Sequence, residues 1–343
     1  VKSSTLSDSI LLRVPTLLRS GCVLLCLLLF LLPAACRQSD PPPLQRTELL
    51  MGTVVEITLL QSGPKAEAAL RDAFAEMRRI EQLMSPQLPT SDLARLAAVP
   101  RGAEVSAETL ALLRRSIELN HLSGGAFDPT LGRVKRLWDI EGDKPHVATA
   151  AELRKALRQC GVDKLRIEGN RVIKLAPKLE IDFGGIAKGY AVDRAGAVLR
   201  RAGIRHASIN AGGDLLLIGD RRGRPWRIGV QDPRKPGAVL AVIAAADEAV
   251  VTSGDYERFF EVDGVRYHHL FDPATGRPSR RSRSVTVVAS DAATADALAT
   301  AAFILGPEAG SRLLRQQGVE GILIGADGTP LVTPGLKDRV TWR

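Results

Sequence analysis

A carboxylate and a hydroxyl stand four residues apart at Asp296 and Thr300, inside an Ala-rich stretch at residues 291–305. On a helix that spacing stacks one side chain above the other, and two hard oxygen donors so placed suit Mg²⁺. The same spacing also fits an exposed Asp and a Thr bonded back to its own helix. Three Gly-rich loops, around Gly124, Gly184 and Gly212, each carry an acid: Asp128, Asp182 and Asp214. Such loops bring backbone close to a phosphate or a metal, although each alone also reads as a turn. Neither GxxxxGK[ST] nor GxGxxG occurs, so the P-loop and Rossmann phosphate sites do not apply. Lys188 falls in the first turn of a helix, where the dipole disfavours a cation. Its position points to an anion nearby, and helix-start amides are themselves an anion site. The other reading is a tight strand-to-helix turn with a solvated Lys. His269 ends a strand and could accept a proton near neutral pH; Asp272, Pro273 and Gly276 after it are turn chemistry. With five His and neither HExxH nor CxxC, zinc is not indicated.

The elements that must position these residues follow from periodicity. Residues 179–181 read as a short apolar strand that delivers Asp182 to a turn at Gly184-Gly185, followed by a helix with Ala187, Val192 and Val198 at apolar positions. Residues 49–60 read as one strand with Gly52 marking a bulge or close approach. Residues 65–84 carry apolar side chains at three- and four-residue spacing, a core-facing helix. Residues 85–101 form a loop around a short helical piece at 92–97. Ser106 caps a helix to about Leu122, and Thr149 with Glu152 forms a capping box for another that ends at Gly161. Strands are expected on both sides of Gly212-Gly213, at 226–230, at 238–244 and at 284–289, and a hairpin over 250–271 turning at Asp263-Gly264. Helices follow at 291–305 and 307–317, then a hairpin at Asp327-Gly328. Strands and helices mix without strict alternation, which predicts an α+β fold of largely antiparallel sheets with packed helices.

Composition fits a globular chain of 343 residues, with 45% hydrophobic and 25% charged residues. The net charge of +9 is scattered apart from RPSRRSR at 277–283, and aromatics at 4% are too few for base-stacking platforms, so no nucleic-acid partner is expected. Lys2, Arg13 and Arg19 precede an uncharged run at 21–32, too short to span a membrane and suited to a secretory h-region. Leu32-Pro33-Ala34-Ala35-Cys36 then resembles a bacterial lipoprotein signal, with Pro33 where Leu is usual. The expectation is a signal peptide over 1–35, a lipid on Cys36, a Pro-rich tether over 36–45 and one catalytic unit over 46–343, exported to the periplasm and anchored to a bacterial membrane. Cys160 has no partner in the folded part and reads as a buried small hydrophobe.

Seven segments in order carry a resemblance that none carries alone: Met51-Gly52-Thr53, GGAFDPTLG at 124–132, IDFGGIAKGYAVD at 181–193, NAGGD at 210–214, SGDYERFF at 253–260, HLFDPATG at 269–276 and ADALATA at 295–301. Together they resemble the ApbE-type FAD:protein FMN transferases, once described as thiamine-biosynthesis lipoproteins, with the related T-fold architecture. The resemblance implies FAD as substrate, contacted by Met51, Ala126, Phe127, Asp128, Asp182, Lys188 and Phe271. It implies Mg²⁺ on Asp296, Thr300 and the Gly185 carbonyl. The family moves the FMN half of FAD to a Thr or Ser hydroxyl of an acceptor flavoprotein, such as subunits of sodium-pumping quinone reductase and related membrane redox complexes, and releases AMP. His269 matches the family's functional His and is the candidate general base, with Asp128 or Asp182 as alternatives. The chain departs from the family after Ser85, where Pro86, Gln87 and Leu88 replace the usual aromatic and Ala97 stands for an Asn. Competing expectations are an Mg²⁺-dependent FAD pyrophosphatase giving FMN and AMP, and a lipid-anchored flavin-binding protein without catalysis.

Overall fold

The computed structural model describes residues 42–343; the expected signal peptide, Cys36 and most of the Pro-rich stretch lie outside the described residues. The chain opens with β1 (Leu44–Leu50) and β2 (Thr53–Leu59), then α1 (Pro64–Met84), α2 (Asp92–Ala98), β3 (Gly102–Glu104) and α3 (Ala107–Leu122). Next come α4 (Gly132–Trp138), α5 (Ala150–Leu157), β4 (Leu165–Glu168), β5 (Arg171–Lys174) and α6 (Ala187–Arg201). Strands β6 (Ala207–Ala211), β7 (Asp214–Ile218), β8 (Trp226–Gln231), β9 (Val239–Ala245), β10 (Ala249–Gly254), β11 (Phe259–Val262), β12 (Val265–His268), β13 (Phe271–Asp272), β14 (Arg277–Pro278) and β15 (Ser282–Ala289) follow. The chain closes with α7 (Ala292–Leu305), α8 (Pro307–Gln316), β16 (Glu320–Gly325), β17 (Pro330–Val332) and β18 (Val340–Trp342).

Eight strands form one sheet in the order β1-β2-β6-β7-β10-β15-β16-β17, every neighbour antiparallel. This is the α+β architecture that the sequence predicts. Val55, Ile57 and Leu59 of β2 alternate inward, as a half-buried strand must. They join one core with Leu70, Phe74 and Met77 of α1, Ala191, Val192 and Ala195 of α6, and Leu298 of α7. A second core holds Leu217, Val250, Val288 and Ile322 of the sheet against Trp226, Val230, Ala241 and Ile243 of the smaller β18-β9-β8 sheet. A third unites Trp138 of α4, Leu153 of α5 and Phe271 of β13. There the Trp138 indole stacks on Phe271 at 6.0 Å and donates to the Gly276 carbonyl at 2.8 Å, fixing the segment after His269.

Helix α7 buries eleven of its fourteen residues, Asp296 among them. A helix enclosed on all sides is otherwise apolar, so a carboxylate within it needs partners. The expected caps are present: Ser106 accepts from Thr109 N, and Thr149 with Glu152 closes a full capping box.

Four expectations need correction. Residues 49–60 are not one bulged strand but the β1–β2 hairpin, because Met51 (φ 54°) and Gly52 (φ 69°) form the two-residue turn that matches strand twist. The Glu81 carboxylate accepts from the Met51 amide at 2.7 Å, which helps hold a non-Gly residue there. The same hairpin starts at Leu44, so the sheet takes up the last two residues of the stretch read as tether. Residues 179–181 form no strand: one bridge links Glu180 to Leu131, with no further partner to extend it. The hairpin expected over 250–271 is shorter, since β10 joins the main sheet and β11–β12 alone turns at Asp263 (φ 51°) and Gly264 (φ 73°). Among the described residues no helix is long and apolar enough to cross a membrane.

Candidate functional site

Ten of the eleven residues singled out from the sequence line one cavity of about 410 Å³. Phe127 and Asp128 arrive on the turn after α3, Asp182 and Gly185 on the turn before α6, His269 and Phe271 beside β13, and Asp296 and Thr300 on α7. Met51 is the exception: it packs against the core, and Gly52 and Thr53 take its place in the wall. The hairpin turn explains this, since it aims backbone rather than the Met side chain at the opening. Gly212 comes so close to Thr53 that a Cβ would lie 2.2 Å from its hydroxyl oxygen, a close approach only Gly permits.

Each acid in the wall has a distinct environment. Asp128 accepts from the Thr130 amide at 2.8 Å and its hydroxyl at 2.6 Å, while burial pushes its pKa above the carboxylate range. Asp182 caps its own turn through Gly184 N at 2.7 Å and pairs with Lys135 at 3.2 Å. Asp296 accepts from the Gly189 amide at 3.2 Å; burial first, and then the adjacent Asp214 carboxylate, raise its pKa. The anion implied by the position of Lys188 is Asp214 itself, which pairs with its ammonium. Burial alone would lower the Lys188 pKa, but the Asp214 and Asp296 carboxylates outweigh it. Lys188 is therefore an internal counter-charge before it is anything to a ligand.

His269 has its Nδ1 at 3.3 Å from the Arg258 carbonyl oxygen. A carbonyl only accepts, so Nδ1 carries the proton and Nε2 keeps a free lone pair. Burial, then the Arg258 guanidinium, push its pKa down to about 3, which keeps the ring neutral.

Four charged wall residues were not singled out from the sequence: Lys135, Glu141, Glu257 and Arg258. Glu257 and Arg258 sit within SGDYERFF, so that motif held the signal; Lys135 and Glu141 belong to no motif. Arg258 pairs with Glu141 at 2.8 Å across the opening. A second cavity of about 410 Å³ shares Lys135, Glu141, Asp182 and His269 with the first and is lined by Pro86, Gln87 and Ala97. The loop that departs from the family pattern thus borders the site.

The first cavity carries five carboxylates, Asp128, Glu141, Asp182, Glu257 and Asp296, against three cations, Lys135, Lys188 and Arg258. The Oδ1 atom of Asp214, a residue 1% exposed, has no hydrogen-bond partner. An excess of carboxylates over cations in the wall, and an orphaned buried acceptor beside Asp296, both fit a bound cation. Gly185 lies against Thr300, a Cβ there falling 3.1 Å from its hydroxyl oxygen. Among the described residues no three His, Cys, Asp or Glu side chains form a metal cluster, so a cation here would rely on hydroxyl and backbone oxygens as well.

The sequence model of the ApbE family matches residues 51–323. A FAD:protein FMN transferase of Treponema pallidum is 36% identical over 318 residues, covering 86% of this chain and 88% of that protein. The crystal structure of the ApbE protein of Thermotoga maritima superposes with a TM-score of 0.82 at 34% identity, over 87% of this chain and 99% of that one. The flavin transferase ApbE of Vibrio cholerae does so with a TM-score of 0.78 at 32% identity, over 87% and 100%. Since the match runs through every wall of the cavity and through the sheet behind it, this chain belongs to the ApbE family.

Proposed function

We propose that the chain transfers the FMN half of FAD to a Thr or Ser hydroxyl of an acceptor flavoprotein and releases AMP. One observation carries this reading: the expected flavin residues other than Met51, the cation residues and the proton acceptor meet at one cavity, with a neutral His269 presenting a free Nε2. The acceptor oxygen attacks the FMN-side phosphorus, its proton passes to His269 Nε2, and the bond to the AMP phosphate breaks. The diphosphate of FAD would draw the His269 pKa upward toward working pH, because a nearby anion favours the protonated ring. Asp128 and Asp182 are anchored through turns and so orient the polar parts of the substrate rather than react.

Asp296, Thr300 and the Gly185 carbonyl would hold Mg²⁺, with Asp214 adjacent. When bound, the ion supplies charge neutralisation for the diphosphate and the departing AMP. Residues 1–36 support an exported chain anchored in the periplasm through lipid on Cys36, which would place it beside membrane redox complexes such as sodium-pumping quinone reductase or its relatives.

Incubation with FAD, Mg²⁺ and a Thr-bearing acceptor peptide tests the reading by mass spectrometry. FMN mass on the peptide with stoichiometric AMP is expected. Free FMN and AMP with an unmodified peptide would instead mean a pyrophosphatase, and FAD left intact would mean binding without catalysis.

A further inference from the structure

Helices α6 and α7 meet through three contacts spaced one helical turn apart. At the first, both carboxylate oxygens of Asp193 accept from the opening amides of α7, Ala292 N at 2.8 Å and Ala293 N at 2.9 Å. At the second, the Gly189 amide donates to Asp296 at 3.2 Å, and the helices are so close that a Cβ on Gly189 would lie 2.2 Å from the Ala292 carbonyl oxygen. At the third, Gly185 lies against Thr300. Each contact steps four residues back along α6 and its leading turn, and four forward along α7. The contacts are therefore the rungs of one antiparallel register, with the expected cation ligands on the second and third.

We infer that Asp193 is a positioning residue that sets this register, and through it the height of Asp296 and Thr300 against Gly185. The rung it fixes lies about 12 Å from the last one, at 1.5 Å per residue, and a slip of one turn would displace the ligands by about 5.4 Å. Helix capping alone does not account for Asp193. Asp291 already caps α7, accepting from Thr294 N at 2.8 Å, and a second carboxylate beside it is repelled by the first. What Asp193 adds is a tie between two helices, made with two hydrogen bonds in fixed directions. A carboxylate bonded to helix-start amides is charge-assisted, so this two-bond tie is stronger than the single, longer Gly189–Asp296 hydrogen bond and the small-residue contacts beside it.

The consequence for the cation rests on the proposed role of Asp296 and Thr300; the register itself does not. The test compares Asp193→Ala with Asp291→Ala, each of which removes one carboxylate from the start of α7. In metal-free protein, hydrogen exchange at the Gly189 amide should be about tenfold faster in Asp193→Ala and within about twofold of wild type in Asp291→Ala. Asp193→Asn retains one acceptor and should fall between, which also serves if the Ala variant folds poorly. Mn²⁺ titration by electron paramagnetic resonance should show about tenfold weaker binding in Asp193→Ala only. Equal exchange at Gly189 in the two Ala variants would overturn the inference. Wild-type protein that binds no Mn²⁺, with the exchange contrast intact, would instead overturn the cation reading and leave the register role standing.

Discussion

The depressed pKa of His269 has a consequence for stability that can be measured without substrate. Its folded pKa is pushed to about 3 from the ordinary 6.5. Between those values the unfolded chain binds a proton that the folded protein refuses, so stability falls as pH falls. At about 1.36 kcal/mol per unit, the full shift corresponds to about 5 kcal/mol, and a drop to about pH 4 crosses enough of the range for about 3. The ring is half-buried against the cavity, where solvent screens part of the effect, so about 2 kcal/mol is the working expectation. His269→Gln cannot take up a proton and should lack that loss. The assay is urea unfolding of both proteins at about pH 6.5 and about pH 4, where the wild type should lose about 2 kcal/mol more than the variant. His268 also has a lowered pKa through burial, but it is present in both proteins and cancels. Parallel loss in wild type and His269→Gln would refute the claim that His269 is held neutral by its surroundings.

Asp296→Ala should abolish AMP release from FAD while circular dichroism stays unchanged, because a buried acid is removed without leaving a charge behind; retained AMP release would show that the site works without it. Gly212→Val should lower the melting temperature by about 5 °C, from roughly 3 kcal/mol of strain at φ 60° and a 2.2 Å clash with Thr53; scanning calorimetry reads this directly. Cys160→Ser should leave AMP release unchanged, since the thiol is buried, its pKa pushed up to about 12, and no step uses it; steady-state AMP assays check this.

Local chemistry was legible in the chain itself. The caps at Ser106 and Thr149, the turn at Gly212-Gly213 and the helix carrying Asp296 and Thr300 depend on residues a few positions apart, and the structure has them where the sequence puts them. The same is true of the fold class, since antiparallel strands can be joined by short turns that leave a signature. The motif residues other than Met51 were also recognisable, because residues from distant segments reach the cavity on turns with recognisable Gly patterns.

Only the tertiary structure decided which charges face each other. Lys188 looked like a group waiting for an external anion, and its partner Asp214 lies 26 positions away on another element. Residues 179–181 were apolar enough for a strand, yet strand formation needs a neighbour and they have one bridge. Lys135 and Glu141 reach the cavity wall from α4 and the loop after it, with no motif to announce them, because lining a cavity requires only position. The register that sets Asp296 and Thr300 against Gly185 is likewise invisible in one dimension, since it belongs to two helices at once and is written in neither of them.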